Sequence, residues 1–165
     1  MRRIVCDTGP LLHLGEAGLL DILSKAGLIL IPPAVFAELT QLDSKWKAGL
    51  PEWVQVQSLK PQFSEASAAW LLAGLLDPGE AQALALATQE QADWLLTDDA
   101  AARMIAGHQC FEVHGSLGVV LWAAATGHLG QPEAEEALEA LSRSSLWLSP
   151  RVLTEARAAL RQVFA

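Results

Sequence analysis

Cysteine is scarce, lysine is absent after Lys60, and no apolar run is long enough to cross a bilayer. The richest apolar stretches are broken by Glu16, Asp21, Lys25, Asp77 or Glu80, well short of the roughly 20 residues a membrane helix needs. No membrane role is expected. Cys6 and Cys110 have no paired metal-ligand spacing and sit in apolar strand-like surroundings, so the two are expected to be buried free thiols rather than a zinc site or a disulfide. His13, His108, His114 and His128 show no i,i+4 ligand spacing and are read as surface or satisfied histidines. There is no internal repeat, low-complexity tract or long Gly/Ser-rich or Pro-rich linker, so one domain over 1–165 is expected. Met1-Arg2-Arg3-Ile4-Val5-Cys6-Asp7 offers too short an apolar run for a secretory signal, and a cytoplasmic protein is expected.

What is present is apolar and acidic. The chain is 52% hydrophobic with a mean hydropathy of +0.27, more apolar surface than one small core hides, which predicts a homodimer or a partner protein. The net charge of −8 argues against a protein that coats nucleic acid, because that binding is driven by counterion release from neutralised phosphates. It does not argue against a nuclease, whose carboxylate cluster is itself anionic until a cation arrives. Arg2, Arg3 and Arg103 are the local cations available to face a phosphate.

Strand and helix patterns alternate along the chain. Arg3 to Cys6 is a short strand ending at Asp7, and Thr8-Gly9-Pro10 turns into a helical segment from Leu11 to Leu23. Leu28 to Ile31 is a second buried strand stopped by Pro32-Pro33, followed by a helix from Ala34 to Leu42. Trp53 to Gln57 alternates with period two, as an edge strand does, and Glu65 to Leu76 and Glu80 to Glu90 are helical. Trp94 to Leu96 is a buried strand ending at Thr97-Asp98-Asp99, with a helix from Ala100 to Ala106 behind it. Phe111 to Val113 is a further strand, and Leu117 to Thr126, Glu133 to Leu141 and Pro150 to Val163 are helices. The alternation predicts a three-layer α/β fold: a central parallel sheet of about four to five strands with helices on both faces.

Open parallel sheets bind ligands beyond the carboxyl ends of their strands, and acids stand there: Asp7 after one strand, Asp98 and Asp99 after another. Glu80 opens the helix before the Trp94 strand and Glu38 lies one turn into the helix after the Ile31 strand, so both can lean to the same edge. Clustered carboxylates repel one another and resist desolvation, so a protein keeps them by raising their pKa values or by binding a cation. An all-oxygen donor set suits Mg²⁺ or Mn²⁺ better than Zn²⁺. Such an ion lowers the pKa of its water and neutralises a phosphoryl oxygen, the chemistry of phosphodiester hydrolysis.

The series Asp7-Thr8, IPPAVFAEL with Glu38, DPGEAQALALA with Glu80, LLTDDAAAR with Asp98 and Asp99, then HGSLGVV, resembles the PIN-domain family. More closely it is similar to the branch with a GEA-type third motif and a Gly-Ser/Thr-Leu-Gly segment, near the toxin ribonucleases of VapBC-type toxin-antitoxin pairs. The likeness covers about residues 1–128 and leaves 129–165 as a helical extension. It implies Mg²⁺- or Mn²⁺-dependent cleavage of RNA, with Asp7, Glu38, Glu80 and Asp98 holding the metal and orienting water, and an antitoxin covering the acid edge. The third acid is Glu where many members have Asp, and the adjacent Asp98-Asp99 leaves the register of the fourth acid open, so both are named.

Each acid also has a plain structural reading. Glu80 with Asp77 fits a capping box, Asp98 or Asp99 fits the amino end of the Ala100 helix, Asp99 and Arg103 fit an i,i+4 pair, Asp7 fits a cap of the Leu11 helix and Glu38 a solvated helix face. Thr8 and Thr97 are read as turn hydroxyls. The six tryptophans, Trp46, Trp53, Trp70 and Trp147 among them, are expected to pack cores and an interface rather than stack on bases. Two other enzyme classes fit poorly: a phosphoacceptor receiver domain needs a lysine on a late strand, and a haloacid-dehalogenase-type phosphatase needs an acid where Gly9 stands. A catalytically inactive PIN-like interaction module is the main alternative.

Overall fold

Five strands, β1 (Arg3–Cys6), β2 (Leu28–Ile31), β3 (Val54–Val56), β4 (Trp94–Leu96) and β5 (Glu112–His114), form one all-parallel sheet in the computed structural model, which describes residues 1–165. Their order is β3-β2-β1-β4-β5, and Ile4 sits opposite Ile29 on one side and Trp94 on the other. The three central strands, β2, β1 and β4, are apolar on both faces, as a sheet covered on both sides requires, whereas the edge strands β3 and β5 carry the exposed Gln55 and Glu112. Side chains alternate: Ile4, Cys6, Ile29, Ile31, Trp94 and Leu96 enter one core, while Val5, Leu30 and Leu95 enter the other.

The first core is closed by α1 (Thr8–Glu16), α2 (Ile22–Ala26), α3 (Pro33–Leu42), α8 (Ser116–Ala125), α9 (Gln131–Ser142) and α10 (Pro150–Val163). The second is closed by α6 (Pro78–Gln89) and α7 (Ala100–Ala106), with α5 (Pro61–Leu72) packed on α6. The result is the expected three-layer α/β architecture. The extension after residue 128 belongs to the first core, since Ala134, Leu138, Ala156 and Leu160 share a cluster with Ile4 and Cys6.

From β1 the chain moves outward to β2 and β3, whereas β4 and β5 lie on the other side, so strand order reverses between β1 and β4. Such a reversal opens a crevice at the carboxyl ends, because the connections leave to opposite sides. Just beyond the strands, Asp7 N–H donates to the Leu96 carbonyl (2.9 Å) and Thr97 N–H to that of His114 (2.9 Å). The acids that follow are therefore held in register by the sheet.

Several boundaries differ from those expected. The segment from Leu11 to Leu23 is two helices, because Gly18 adopts φ 72°, a left-handed conformation that glycine takes without strain, and α1 ends before it. The helix expected over Glu65–Leu76 runs from Pro61, suited to the first helical turn, to Leu72, with Gly74 (φ 68°) beyond its end. A short helix, α4 (Lys45–Ala48), was not signalled by periodicity. Cys6 is buried as expected, but Cys110 is exposed in the bend before β5, where no core reaches it.

Arg2 and Arg3 lie at the amino end of β1, the opposite sheet edge from Asp7. The Arg2 guanidinium sits 4.3 Å from the Trp94 ring centroid, and Arg3 donates to the Glu90 carbonyl (2.8 Å). Neither faces a phosphate near the acids, which corrects that expectation. No helix is long and apolar enough to cross a membrane.

Candidate active site

The crevice between β1 and β4 is a cavity of about 460 Å³. All five acids named from the sequence line it, Asp7, Glu38, Glu80, Asp98 and Asp99, joined by Asp77, Thr8, Gly9 and His13. Ser145, Leu146 and Trp147, from the connection between α9 and α10, complete the wall.

Asp7 is buried, 5% exposed. One oxygen accepts from Thr8 N–H (2.7 Å), which caps α1, and the other from the Thr97 hydroxyl (3.1 Å). Burial outweighs these two hydrogen bonds and, with the charges of Asp77 and Glu38 adding to it, pushes the carboxyl up to about 7. Thr97 also accepts from Asp99 N–H (3.2 Å), so both threonines orient acids and are more than turn hydroxyls.

Glu38 is not a solvated side chain. It accepts from the Thr8 hydroxyl and from Gly79 N–H (3.0 Å), joining the first turns of α1 and α6 to α3. A Cβ at position 79 would lie 2.5 Å from a Glu38 oxygen, so glycine is what lets the α6 backbone approach the carboxylate.

The capping reading of Glu80 is correct and does not remove it from the cavity. Glu80 N–H donates to Asp77 (2.9 Å) while Asp77 N–H donates to Glu80 (3.0 Å), a reciprocal box at the start of α6. Desolvation, opposed by the bond from the Asp77 backbone and reinforced by the charges of Asp77, Asp99 and Asp7, raises the Glu80 carboxyl to about 7.

Asp98 and Asp99 diverge. Asp98 is half-buried and accepts from His13 Nδ1 (2.7 Å), Ser116 N–H (2.7 Å) and the Ser116 hydroxyl (2.6 Å). Burial pushes this carboxyl up, but the His13 and Ser116 donors at the amino end of α8 more than offset it and hold it below the usual carboxylate range. Asp99 accepts from Ala102 N–H (2.7 Å) and caps α7, so its carboxylate serves that helix and not an i,i+4 pair with Arg103. A Cβ on Gly115 would lie 2.7 Å from both Arg103 Nη1 and an Asp98 oxygen, so Arg103 is the cation that remains near the acids.

His13 and Ser116 act on Asp98, yet sequence reasoning left them out. Their partner is 85 and 18 residues away, respectively, and no local spacing signals such a contact. Asp77 was visible only as a cap.

In this arrangement no three acids or histidines converge on one point to hold an ion, because most of the carboxylates are turned toward protein donors. The donor chemistry nonetheless fits a hard divalent cation. The charged groups on the wall are carboxylates from six positions, and burial holds two of them, Asp7 and Glu80, at pKa values near neutrality. A cation relieves both the repulsion and the desolvation by replacing those protons.

A family model described as a PIN domain matches residues 3–162, reaching through α9 and α10 and so well beyond the motif-bearing segment. No curated protein matches the chain.

Proposed function

The chain belongs to the PIN-domain family, whose members are generally nucleases, and from this premise we propose that it is a Mg²⁺- or Mn²⁺-dependent endoribonuclease. The observation that carries the proposal is the meeting of Asp7, Glu38, Glu80, Asp98 and Asp99 in one crevice at the reversal of strand order. These residues come from four separate segments, and capping alone gives no reason for them to share a cavity.

In this reading the carboxylates of Asp7, Glu38, Glu80 and Asp98, with Asp99 at the margin, hold the metal. When bound, the ion supplies an acidified water and neutralises charge on the scissile phosphate. The protein supplies the placement. Thr8 and Thr97 fix Asp7 and Glu38, while His13 and Ser116 keep Asp98 ionised at the wall of the crevice. Asp7 and Glu80, whose carboxyls burial raises to about 7, would give up their protons near neutral pH on holding such a cation.

The finer parts of the proposal rest on the motif resemblance: residues 1–165 act as one cytoplasmic PIN-type unit and serve as the toxin of a toxin-antitoxin pair. Leu71, Leu72 and Leu75, exposed around the end of α5, supply apolar surface for an antitoxin or a second copy. The test is cleavage of single-stranded RNA by chelator-stripped protein before and after Mn²⁺ is restored. Cleavage should be absent in chelator and return with the metal. Metal-independent cleavage, or none under either condition, would sink the proposal, and the latter would favour the inactive interaction module.

A further inference from the structure

Trp147 is the one tryptophan that the fold leaves outside its cores. Its side chain is 82% exposed, whereas Trp46 and Trp94 are buried and Trp53, Trp70 and Trp122 are half-buried. It stands on the wall of the acid cavity, in the same lining as Asp7, Glu80 and Asp98.

The segment that presents it is pinned on both sides. Ser145 donates its N–H (2.8 Å) and its hydroxyl (2.6 Å) to the Glu16 carboxylate at the end of α1. The Leu146 and Leu148 side chains pack against the first core, so the residue between them is turned outward. Ser149 then caps α10 by accepting from Val152 N–H (3.2 Å). The backbone that carries the indole is therefore fixed by its neighbours, while the ring makes no contact of its own with another aromatic side chain. Leaving a large apolar ring in water is unfavourable, and nothing in the packing of the strap requires an aromatic there.

The electrostatics point the same way. With six carboxylates in the cavity and a net charge of −8, phosphate neutralisation supplies little affinity for a polyanion. Base stacking on an aromatic face is independent of that charge and tolerant of sequence, and it requires an unpaired base. Building on the nuclease reading above, we infer that Trp147 is the stacking platform on which an unpaired base of single-stranded RNA rests beside the acid cavity. It is a positioning residue that selects unpaired over paired strands.

The test is fluorescence anisotropy of a short labelled single-stranded RNA, and of the same strand in a duplex, binding to full-length parent, Trp147→Phe and Trp147→Ala proteins in Ca²⁺. Trp147→Ala should weaken single-strand binding about tenfold or more, with the same ratio at low and moderate salt, and leave duplex binding within about twofold. Trp147→Phe should stay within about threefold of the parent. Equal single-strand affinity in parent and Trp147→Ala, equal loss on both RNA forms, or no single-strand binding by the parent would overturn the inference. The first of these would direct attention to a protein partner at this residue. Absent Mn²⁺-dependent cleavage with Trp147-dependent binding intact would sink the hydrolytic reading alone, whereas intact cleavage with Trp147-independent binding would sink only the stacking.

Discussion

Asp7→Asn is expected to lower Mn²⁺-dependent RNA cleavage at least about a thousandfold, roughly 4 kcal/mol of transition-state stabilisation, while leaving the protein folded. Both parts follow from the surroundings of Asp7. Its carboxylate is the most buried of the acids in the crevice and lies at the end of the strand bordering the order reversal. Asn keeps the shape and an oxygen for Thr8 N–H, and its amide can donate to the Thr97 hydroxyl, so the cap on α1 and the local geometry survive. What it removes is the negative charge a hard cation requires. Rates measured with matched circular dichroism and thermal melts check this. A variant within tenfold of the parent, or one that no longer folds, would refute the assignment.

The second large effect is a loss of stability in chelator as pH rises. The carboxyls of Asp7 and Glu80 are each raised, from 3.8 and 4.5 respectively, to about 7 in the folded protein. The folded state then binds more protons than the unfolded state between those values, so stability is fully present below the unfolded pKa values and is lost as pH rises through about 7. Across the whole interval from 3.8 to about 7, the share from buried Asp7 is of order 4 kcal/mol, about 12 °C in Tm for a chain of this size. Glu80 is partly exposed and contributes less. The lowered Asp98 carboxyl acts in the opposite sense, its stability present above its unfolded pKa and lost only as pH falls below it, outside this window. Melts from mildly acidic to mildly alkaline pH in EDTA should show the decline. Mn²⁺ should restore more of the Tm at the alkaline end than at the acidic end, because the ion takes the place of the protons. A flat profile in EDTA, or equal Mn²⁺ effects at both ends, would contradict the account.

The three central strands were legible because each is a short apolar run bounded by Pro, Gly or Asp, the pattern of a buried parallel sheet, while β3 showed as period-two alternation at the sheet edge. The acids were legible because strand ends place them. Helix lengths were less so. The break at Gly18 depends on a left-handed backbone angle, and the periodic leucines on either side of it continue through the gap. The dual character of Glu80 and Asp99 was invisible in principle, since a side chain that caps a helix and one that lines a cavity leave the same mark in a sequence. His13, Ser116 and Trp147 reach the crevice only through tertiary contacts from α1, α8 and the strap before α10.

The claim that this crevice is a cation site is tested most directly by calorimetric titration of Mn²⁺ into chelator-stripped parent and Asp7→Asn proteins near neutral pH, in buffers of different ionisation enthalpy. The parent should bind Mn²⁺ with an enthalpy that varies with buffer, the sign of protons released from Asp7 and Glu80, and the variant should lose most of both the affinity and the proton release. Equal binding by the two proteins, or no binding by the parent, would contradict it.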